Sequence, residues 1–390
     1  KMKAKKGKRF MAGTWTALAL WVLLPGVAPA QSAKPSPQTF NTAVYFDYRH
    51  FLSNDGPATL KPADPSKAYV NNAFAFRRAY FTYENKLGDN LKFRFRLDAD
   101  NTANVTGVAV DFNGLKTSAS TDSKLRPFMK HLYLEYADVL VPRLVLNVGM
   151  IETLTFKPAE DRWGLRSVAK TLVDGYRDIT GRDILSTSAD LGATLKYSVS
   201  KHFRLAAGVY NGAAYSKAEN DQFKELQLQA QVTPVPGLSF VGYYDYERKL
   251  PNPVSFPSET SPAARTFKLD GFFEMVKDLV VGVEWFTFEH DLYRLKGKKF
   301  DVSGLSVFGR YTVTPGKLAL YCRWDGYRPN SLDRDLDASL VIAGLDWAPL
   351  DQSWRLQPNV WFRGYKNGAR YVAGAEDRDL VFNLTFFLSF

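Results

Sequence analysis

The stretch KELQLQAQV (224–232) alternates strictly between polar and apolar side chains. Leu226, Leu228 and Val232 have one parity, whereas Glu225 and the three glutamines have the other. Because successive side chains of a β-strand point to opposite faces, this pattern predicts a strand with one apolar and one polar face. The pattern recurs along the chain in segments about ten residues long, the length that a tilted strand needs to cross a bilayer. Examples are NLKFRFRLDAD (90–100), SADLGATLKYSV (188–199) and WRLQPNVWFRGY (354–365).

The number and spacing of these segments favour a transmembrane barrel over a soluble sandwich, whose strands also alternate. Seven short connections alternate with eight long ones, which predicts sixteen antiparallel strands in an all-β barrel. The segment 105–113 also alternates, and we assign it to the second long loop, because an odd number of strands would place the two chain termini on opposite sides of the membrane. The sixth long loop is predicted over 289–299. Tyrosine and tryptophan side chains near strand ends are typical of interfacial girdles: Tyr136, Tyr197, Tyr246, Trp285, Tyr311, Trp324, Trp347 and Trp354.

The first thirty residues have the pattern of a secretory signal peptide. A basic stretch (KMKAKKGKRF) precedes a short apolar run and the small-residue sequence Ala28-Pro29-Ala30. An N-terminal membrane anchor is the alternative, but the apolar run is short for a membrane span. We therefore expect a signal peptide over 1–30, a short lead over 31–39 and an outer-membrane barrel over 40–390.

Charge and cysteine content exclude several classes of function. Residues 1–30 carry six basic residues and no acidic one, so the remaining chain has a formal net charge of +5 instead of +11. This mild excess gives no reason to expect a nucleic-acid partner. Cys322 is the only cysteine, so neither an internal disulfide nor a cysteine-based metal cluster can form, and we expect no cofactor.

The last predicted strand, LVFNLTFFLSF (380–390), places six apolar residues on one face and ends on Phe390. Leu380, Phe382 and the following even-numbered residues would contact lipid, while Asn383, Thr385 and Ser389 would face water. A terminal aromatic residue after such a pattern is similar to the signal by which barrel-assembly machinery recognises its clients, so we expect Phe390 to contact that machinery.

A sixteen-stranded barrel is too wide for its side chains to fill, which predicts an aqueous channel for small ions and hydrophilic solutes. Strand parity predicts that the pore lining includes eleven charged residues: Lys92, Arg94, Arg96, Glu135, Lys196, Arg204, Glu225, Arg310, Arg323, Arg355 and Arg363. Lys92, Arg94 and Arg96 share one strand face at intervals of roughly 7 Å, which would let an anion step along them. The alternative is that these cations pair with acidic residues and stiffen the wall.

The third long loop (152–188) is the longest and breaks the alternation. It contains a helix-like stretch at PAEDRW with Pro158 in the first turn. We expect this loop to fold into the lumen as a constriction, although a solvated surface loop is the alternative. Its predicted constriction residues are Lys157, Glu160, Asp161, Arg162, Arg166, Lys170, Arg177 and Arg182.

Three segments resemble the phosphate-selective porin family: FAFRRAYFTYENKLGDNLKFRFRLDAD (74–100), KHLYLEYADVLVPRLVLNVGMIE (130–152) and LAAGVYNG (205–212). The resemblance implies a sixteen-stranded outer-membrane channel, usually a homotrimer and often anion-preferring. The chain departs from the family pattern after Gly149, where it reads MIETLTFKPAEDRWG, and its third loop lacks a dense lysine cluster. Phosphate specificity is therefore not assigned to any residue.

Two other classes of function stay open. A substrate-specific channel, or a barrel that surrounds a separate redox partner, would share the same fold. An outer-membrane enzyme would need a nucleophile beside a base, but none of the four histidines (His50, His131, His202 and His290) lies in a recognisable nucleophile motif. We expect no enzymatic activity.

Overall fold

Sixteen strands close into one antiparallel barrel. The computed structural model describes residues 38–53, 72–100, 104–111, 116–122, 126–174, 187–215, 219, 221–248, 262–368 and 377–390. The predicted signal peptide and most of the lead lie outside these ranges. The barrel strands are β1 (Gln38–Ser53), β2 (Asn72–Lys86), β3 (Leu91–Asp100), β6 (Arg126–Tyr136), β7 (Leu144–Glu152), β8 (Ala189–Ser198), β9 (Phe203–Tyr210), β10 (Glu225–Val235), β11 (Leu238–Arg248), β12 (Ala263–Phe273), β13 (Leu279–Leu295), β14 (Lys298–Thr314), β15 (Leu318–Arg328), β16 (Ala338–Trp347), β17 (Trp354–Tyr365) and β18 (Arg378–Ser389). The predicted fold class and strand count are confirmed.

A separate hairpin interrupts the connection between β3 and β6. Its strands, β4 (Asn104–Asp111) and β5 (Lys116–Asp122), pair only with each other. The assignment of 105–113 to the second long loop is therefore confirmed. Among the described residues, the helices are too short and too polar to cross a membrane.

The first and last strands close the barrel. Val44 of β1 is in register with Leu388 of β18. The backbone N–H of Thr42 donates to the carbonyl of Phe390 at 2.7 Å, and the N–H of Phe390 donates to the carbonyl of Thr42 at 3.0 Å. Closure pairs the backbone groups that an open sheet edge would expose.

Alternation along each strand separates an inner from an outer face. In β11, Ser239, Val241 and Tyr243 are buried on the inner face, whereas Phe240 and Tyr244 are 49% and 39% exposed on the outer face. In β18, Asn383 and Thr385 are buried inside as predicted. The outer wall is thus mainly apolar and carries the exposed leucine, valine and aromatic side chains.

The predicted sixth long loop (289–299) is wrong. Strands β13 and β14 continue through this region and meet at the two-residue turn Lys296-Gly297. Both turn residues take positive φ, 50° and 80°, as a type I′ hairpin turn requires, and glycine takes such a conformation without strain. The charged residues around the turn suggested a loop, but they extend two long strands beyond the apolar band.

A short 3-10 helix, η1 (Arg334–Leu336), lies in the connection between β15 and β16. The Asp333 side chain accepts a hydrogen bond from the Asp335 N–H at the start of this turn. Seven short connections lie at one end of the barrel, as predicted, and the Lys296-Gly297 turn lies at the other end.

Candidate functional site

Residues 153–174, here called the inner segment, leave β7 and form the first half of the third long loop. They contain helix α1 (Lys157–Trp163), with Pro158 in its first turn and Gly164 just beyond its end. Gly164 adopts φ 65°, the left-handed conformation that commonly ends a helix. The helix predicted from PAEDRW is therefore present.

One side of the inner segment is apolar and packs against the inner wall. Trp163, Leu165 and Leu172 are fully buried, and so are the wall residues Phe286 and Ile342. The Trp163 ring lies edge-on to Phe308 and Tyr321, at centroid distances of 5.5 and 5.8 Å. Burial of these side chains stabilises the segment against the wall through the hydrophobic effect.

Hydrogen bonds attach the inner segment to strands on several sides of the barrel. The Leu154 N–H donates to Gln227 of β10 (2.9 Å), and the Val173 N–H donates to Glu284 of β13 (3.2 Å). The Ser167 hydroxyl donates to Gln357 of β17 (2.7 Å), and Arg77 of β2 donates to the Val168 carbonyl (2.9 Å). Strands β2, β10, β13 and β17 lie well apart in the strand order. The inner segment therefore runs across the inside of the barrel.

Most predicted constriction residues form ion pairs. Lys157 pairs with Asp161 one helical turn away, and Arg162 lies 3.6 Å from Glu274. Arg166 pairs with both Glu160 and Asp174, the latter at 2.8 Å, and Lys170 lies 3.9 Å from Asp174. Arg177 and Arg182 lie outside the described residues.

Burial alone would raise the pKa of the Asp174 carboxyl, but Lys170 and Arg166 hold that pKa well below its usual range. Burial would likewise lower the pKa of Arg166, yet the neighbouring Tyr80, Glu160 and Asp174 raise it well above its usual range. Both groups therefore carry their charges at neutral pH.

Of the three cations on one strand face, Lys92, Arg94 and Arg96 (here called the ladder), two lie beside carboxylates. Lys92 is 3.1 Å from Glu135, and Arg94 is 3.2 Å from Glu84 and 3.7 Å from Glu152. Arg96 instead donates to the Thr82 hydroxyl at 2.8 Å. Lys92 and Arg94 therefore pair with acidic residues, which was the alternative to their acting as a path for anions.

Other predicted lining residues divide into paired and unpaired groups. Arg323, Arg355 and Arg363 pair with Asp325 (2.7 Å), Asp346 (2.7 Å) and Asp379 (3.6 Å), and Glu225 accepts from the Gln227 amide at 2.7 Å. Lys196, Arg204 and Arg310 have no carboxylate within the 4.0 Å ion-pair limit in the described ranges.

Three cavities lie near the short turns, and the inner segment forms part of the lining of the first two. The first, about 190 Å³, is lined by Lys157, Arg162, Lys196 and Arg204 together with Glu152 and Asp161. The second, about 490 Å³, lies against β1, β2, β17 and β18. The third, about 170 Å³, contains Arg310 and shares Gln352 and Arg355 with the second.

Parity reasoning missed a cluster of inward cations, because β-bulges interrupt the alternation. Arg77 and Arg78 are consecutive, yet Arg77 contacts Asp47 at 2.6 Å and Arg78 contacts Asp100 at 3.0 Å. The register shifts opposite these arginines, between Tyr45 and Phe46. A bulge lets two neighbouring side chains face inward, so the only sequence signal was the doubled arginine itself.

The same effect places Lys130 and His131 together on the inner face, opposite a register shift between Arg96 and Leu97. Lys130 pairs with Asp98 at 3.1 Å. His131 is buried on this face beside the Tyr133 ring.

No family model and no curated protein matches the sequence, so the resemblance to the phosphate-selective porins gains no support from either comparison. Solved structures do match the fold. The anion-selective porin from Comamonas acidovorans is 10% identical, with a TM-score of 0.58 over 91% of this chain and 100% of that chain. The outer-membrane channel DcaP of Acinetobacter baumannii is 12% identical, with a TM-score of 0.57 over 93% and 100%.

The trimer form of OmpT, an outer membrane protein of Vibrio cholerae, is 13% identical, with a TM-score of 0.54 over 92% and 100% of the two chains. At these identities the likeness concerns the fold alone. The chain therefore has the closed barrel fold of these outer-membrane proteins.

Proposed function

We propose that this protein is an outer-membrane porin, a channel for passive diffusion of small ions and hydrophilic solutes. The observation that carries the proposal is the closed sixteen-stranded barrel, with an apolar outer wall and charged side chains inside. The outer wall suits contact with lipid, because exposed Leu228 and Phe240 gain from leaving water. A barrel of this strand number encloses more space than its own side chains fill.

The inner segment supports a constriction at the level of α1. It is attached to several sides of the wall, so it reduces the cross-section through which a solute passes. The three cavities near the short turns are open space at this level of the barrel. We propose that ions pass through these spaces.

The unpaired cations favour anions over cations. Lys196, Arg204 and Arg310 all line cavities beside the inner segment and lack ion-pair partners among the described residues. A fixed positive charge in a narrow, partly desolvated passage attracts anions and repels cations. We therefore assign the anion preference to these three side chains instead of to the Lys92–Arg94–Arg96 ladder.

The test is conductance in planar lipid bilayers. Purified protein should insert and give discrete current steps that scale with salt concentration. Protein that inserts, as shown by protection of its barrel from protease, but gives no steps contradicts the porin proposal. In a KCl gradient, the sign of the reversal potential then reports the preference for chloride or potassium.

Two partners belong to the same proposal. We propose a homotrimer, the state named for the Vibrio cholerae structure, as the assembled form of this chain. We also propose that the C-terminal strand with Phe390 is recognised by barrel-assembly machinery during insertion.

We further propose that the protein has no enzymatic activity, as expected from its sequence.

A further inference from the structure

The second cavity has an aromatic side and a cationic side, a combination that a simple water-filled passage does not need. We propose that this cavity binds small aromatic carboxylates, such as benzoate. The proposal rests on the porin function above and names a solute class that the channel would retain and pass.

The aromatic side consists of Tyr45, Tyr80 and Phe387 on three neighbouring strands. The Tyr45 ring lies 6.2 Å from Tyr80 and 6.4 Å from Phe387, measured between centroids. The Tyr80 hydroxyl accepts from Arg78 at 3.1 Å and from Arg166 at 3.2 Å, which fixes the ring in place. These rings present a preorganised apolar surface against which another ring can pack.

The cationic side adjoins the rings directly. Arg355 on β17 is in register with Phe387 on β18, and both side chains line the cavity. Opposite residues in an antiparallel pair have their Cβ atoms roughly 5 Å apart, so one small ligand can contact both side chains. A ring packed on Phe387 can thus place its carboxylate beside the Arg355 guanidinium.

Arg310 supplies a charge that no carboxylate of the described residues neutralises. Its guanidinium lies against Gly164, which lines the second cavity, while Arg310 itself lines the adjoining third cavity. A Cβ atom at position 164 would displace that guanidinium, and the positive φ angle of position 164 independently favours glycine. Arg355 already pairs with Asp346, whereas Arg310 forms no ion pair among the described residues and is available to a ligand carboxylate.

Size also fits the proposed ligand. The cavity of about 490 Å³ accommodates a single aromatic ring with its carboxylate and leaves room for water. The first cavity, beside Lys196 and Arg204, is smaller and has more cations but no comparable group of rings. It should bind anions without regard to an aromatic ring, and it therefore provides a matched control.

The experiment is isothermal titration calorimetry of the folded, detergent-solubilised protein with sodium benzoate, sodium acetate and benzyl alcohol. Benzoate should bind about tenfold more tightly than either acetate, which lacks the ring, or benzyl alcohol, which lacks the charge. Equal affinities for benzoate and acetate overturn the proposal.

Variants locate the site. Phe387→Leu keeps an apolar side chain and should weaken benzoate binding about five- to tenfold while leaving acetate unchanged, whereas Phe387→Tyr should retain benzoate binding. Arg310→Gln should weaken benzoate binding by a similar factor, and Lys196→Gln, which removes the same charge in the first cavity, should not. If Lys196→Gln weakens benzoate as much as Arg310→Gln does, a diffuse positive potential explains the binding and the cavity proposal is wrong.

Calorimetry requires no conduction, so the two proposals fail separately. Protein that binds benzoate selectively but gives no current steps contradicts only the porin function. Protein that conducts but binds benzoate no better than acetate contradicts only the aromatic carboxylate site.

Discussion

At the scale of single residues, neighbours decide which charges act on a passing ion. Lys92 and Lys196 are both inward lysines near short turns. Lys92 pairs with Glu135, whereas Lys196 has no carboxylate within 4.0 Å in the described part of the chain. A paired cation has its field largely offset by the acid beside it, whereas an unpaired one contributes its full charge to the lumen. The two lysines should therefore differ in their effect on selectivity.

We predict that Lys196→Gln/Arg204→Gln lowers the chloride-to-potassium permeability ratio by roughly threefold, since two unpaired charges are lost. The measurement is the reversal potential in a KCl gradient. Lys92→Gln/Glu135→Gln, which removes a cation together with its partner, should leave the ratio near that of the wild type. An unchanged permeability ratio in Arg94→Gln/Arg96→Gln would show that the ladder does not set anion preference. A larger shift in Arg94→Gln/Arg96→Gln than in Lys196→Gln/Arg204→Gln would show that the ladder sets it instead.

At the scale of elements, the inner segment is held by a charge cluster as well as by its apolar side. Arg166 pairs with Glu160 and Asp174, and the low pKa of Asp174 keeps that carboxylate charged. A depressed pKa contributes stability that is complete above the ordinary value of 3.8 and is lost as the pH falls below it. Docking of the wild-type segment should therefore weaken only at strongly acidic pH.

We predict that Arg166→Met weakens docking at pH 7 by about 1–3 kcal/mol, because it removes the arginine that two largely buried carboxylates share. The variant should show higher conductance and more open-channel noise in bilayer recordings. Lowering the pH to 4 should partly reverse this change, because protonation neutralises carboxylates that burial now makes less acidic.

The control for this prediction is Lys157→Met, which removes an exposed i,i+4 pair with Asp161 and should change little. A variant Arg166→Met with the noise and conductance of the wild type at pH 7 would show that apolar packing alone docks the segment.

At the scale of the whole molecule, the wall around β1, β2 and β18 is rich in outward aromatic residues. Phe40 and Phe74 are 59% and 75% exposed, and Phe46 stacks on Phe386 at 4.7 Å. We predict a homotrimer in mild detergent, to be measured by native mass spectrometry of protein purified without heating. A monomer across detergents and in nanodiscs would contradict this prediction, without bearing on the barrel itself.

Much of the fold was predictable because a barrel repeats one local rule. Strand parity in Glu225–Val232 and in Leu380–Ser389 depends only on the sequence, and a closed sheet makes every such strand obey it. The failures arose where local rules ceased to apply. Charged residues around Lys296 suggested a loop although they continue two strands, and the bulges opposite Arg77 and Lys130 placed consecutive residues on one face.

The candidate site was less predictable because pairing depends on residues far apart in the chain. Inward apolar residues such as Phe286 and Phe288 share parity with Glu284, but nothing local indicates that Trp163 and Leu172 cover them. Which of Arg94, Lys196 and Arg310 keeps a free charge depends on neighbouring strands and on the inner segment.

The sequence by itself determined a sixteen-stranded barrel pattern, the face of most side chains, and a helical stretch in the third long loop, because these follow from the two-residue repeat of strands and from local helix signals. Only the tertiary structure decided that residues 153–174 cross the barrel, that Lys92 and Arg94 lie beside acids, and that Tyr45, Phe387 and Arg355 line one cavity. Ion pairs and cavities arise between distant segments, so they exist only once the strands are in register and the barrel is closed.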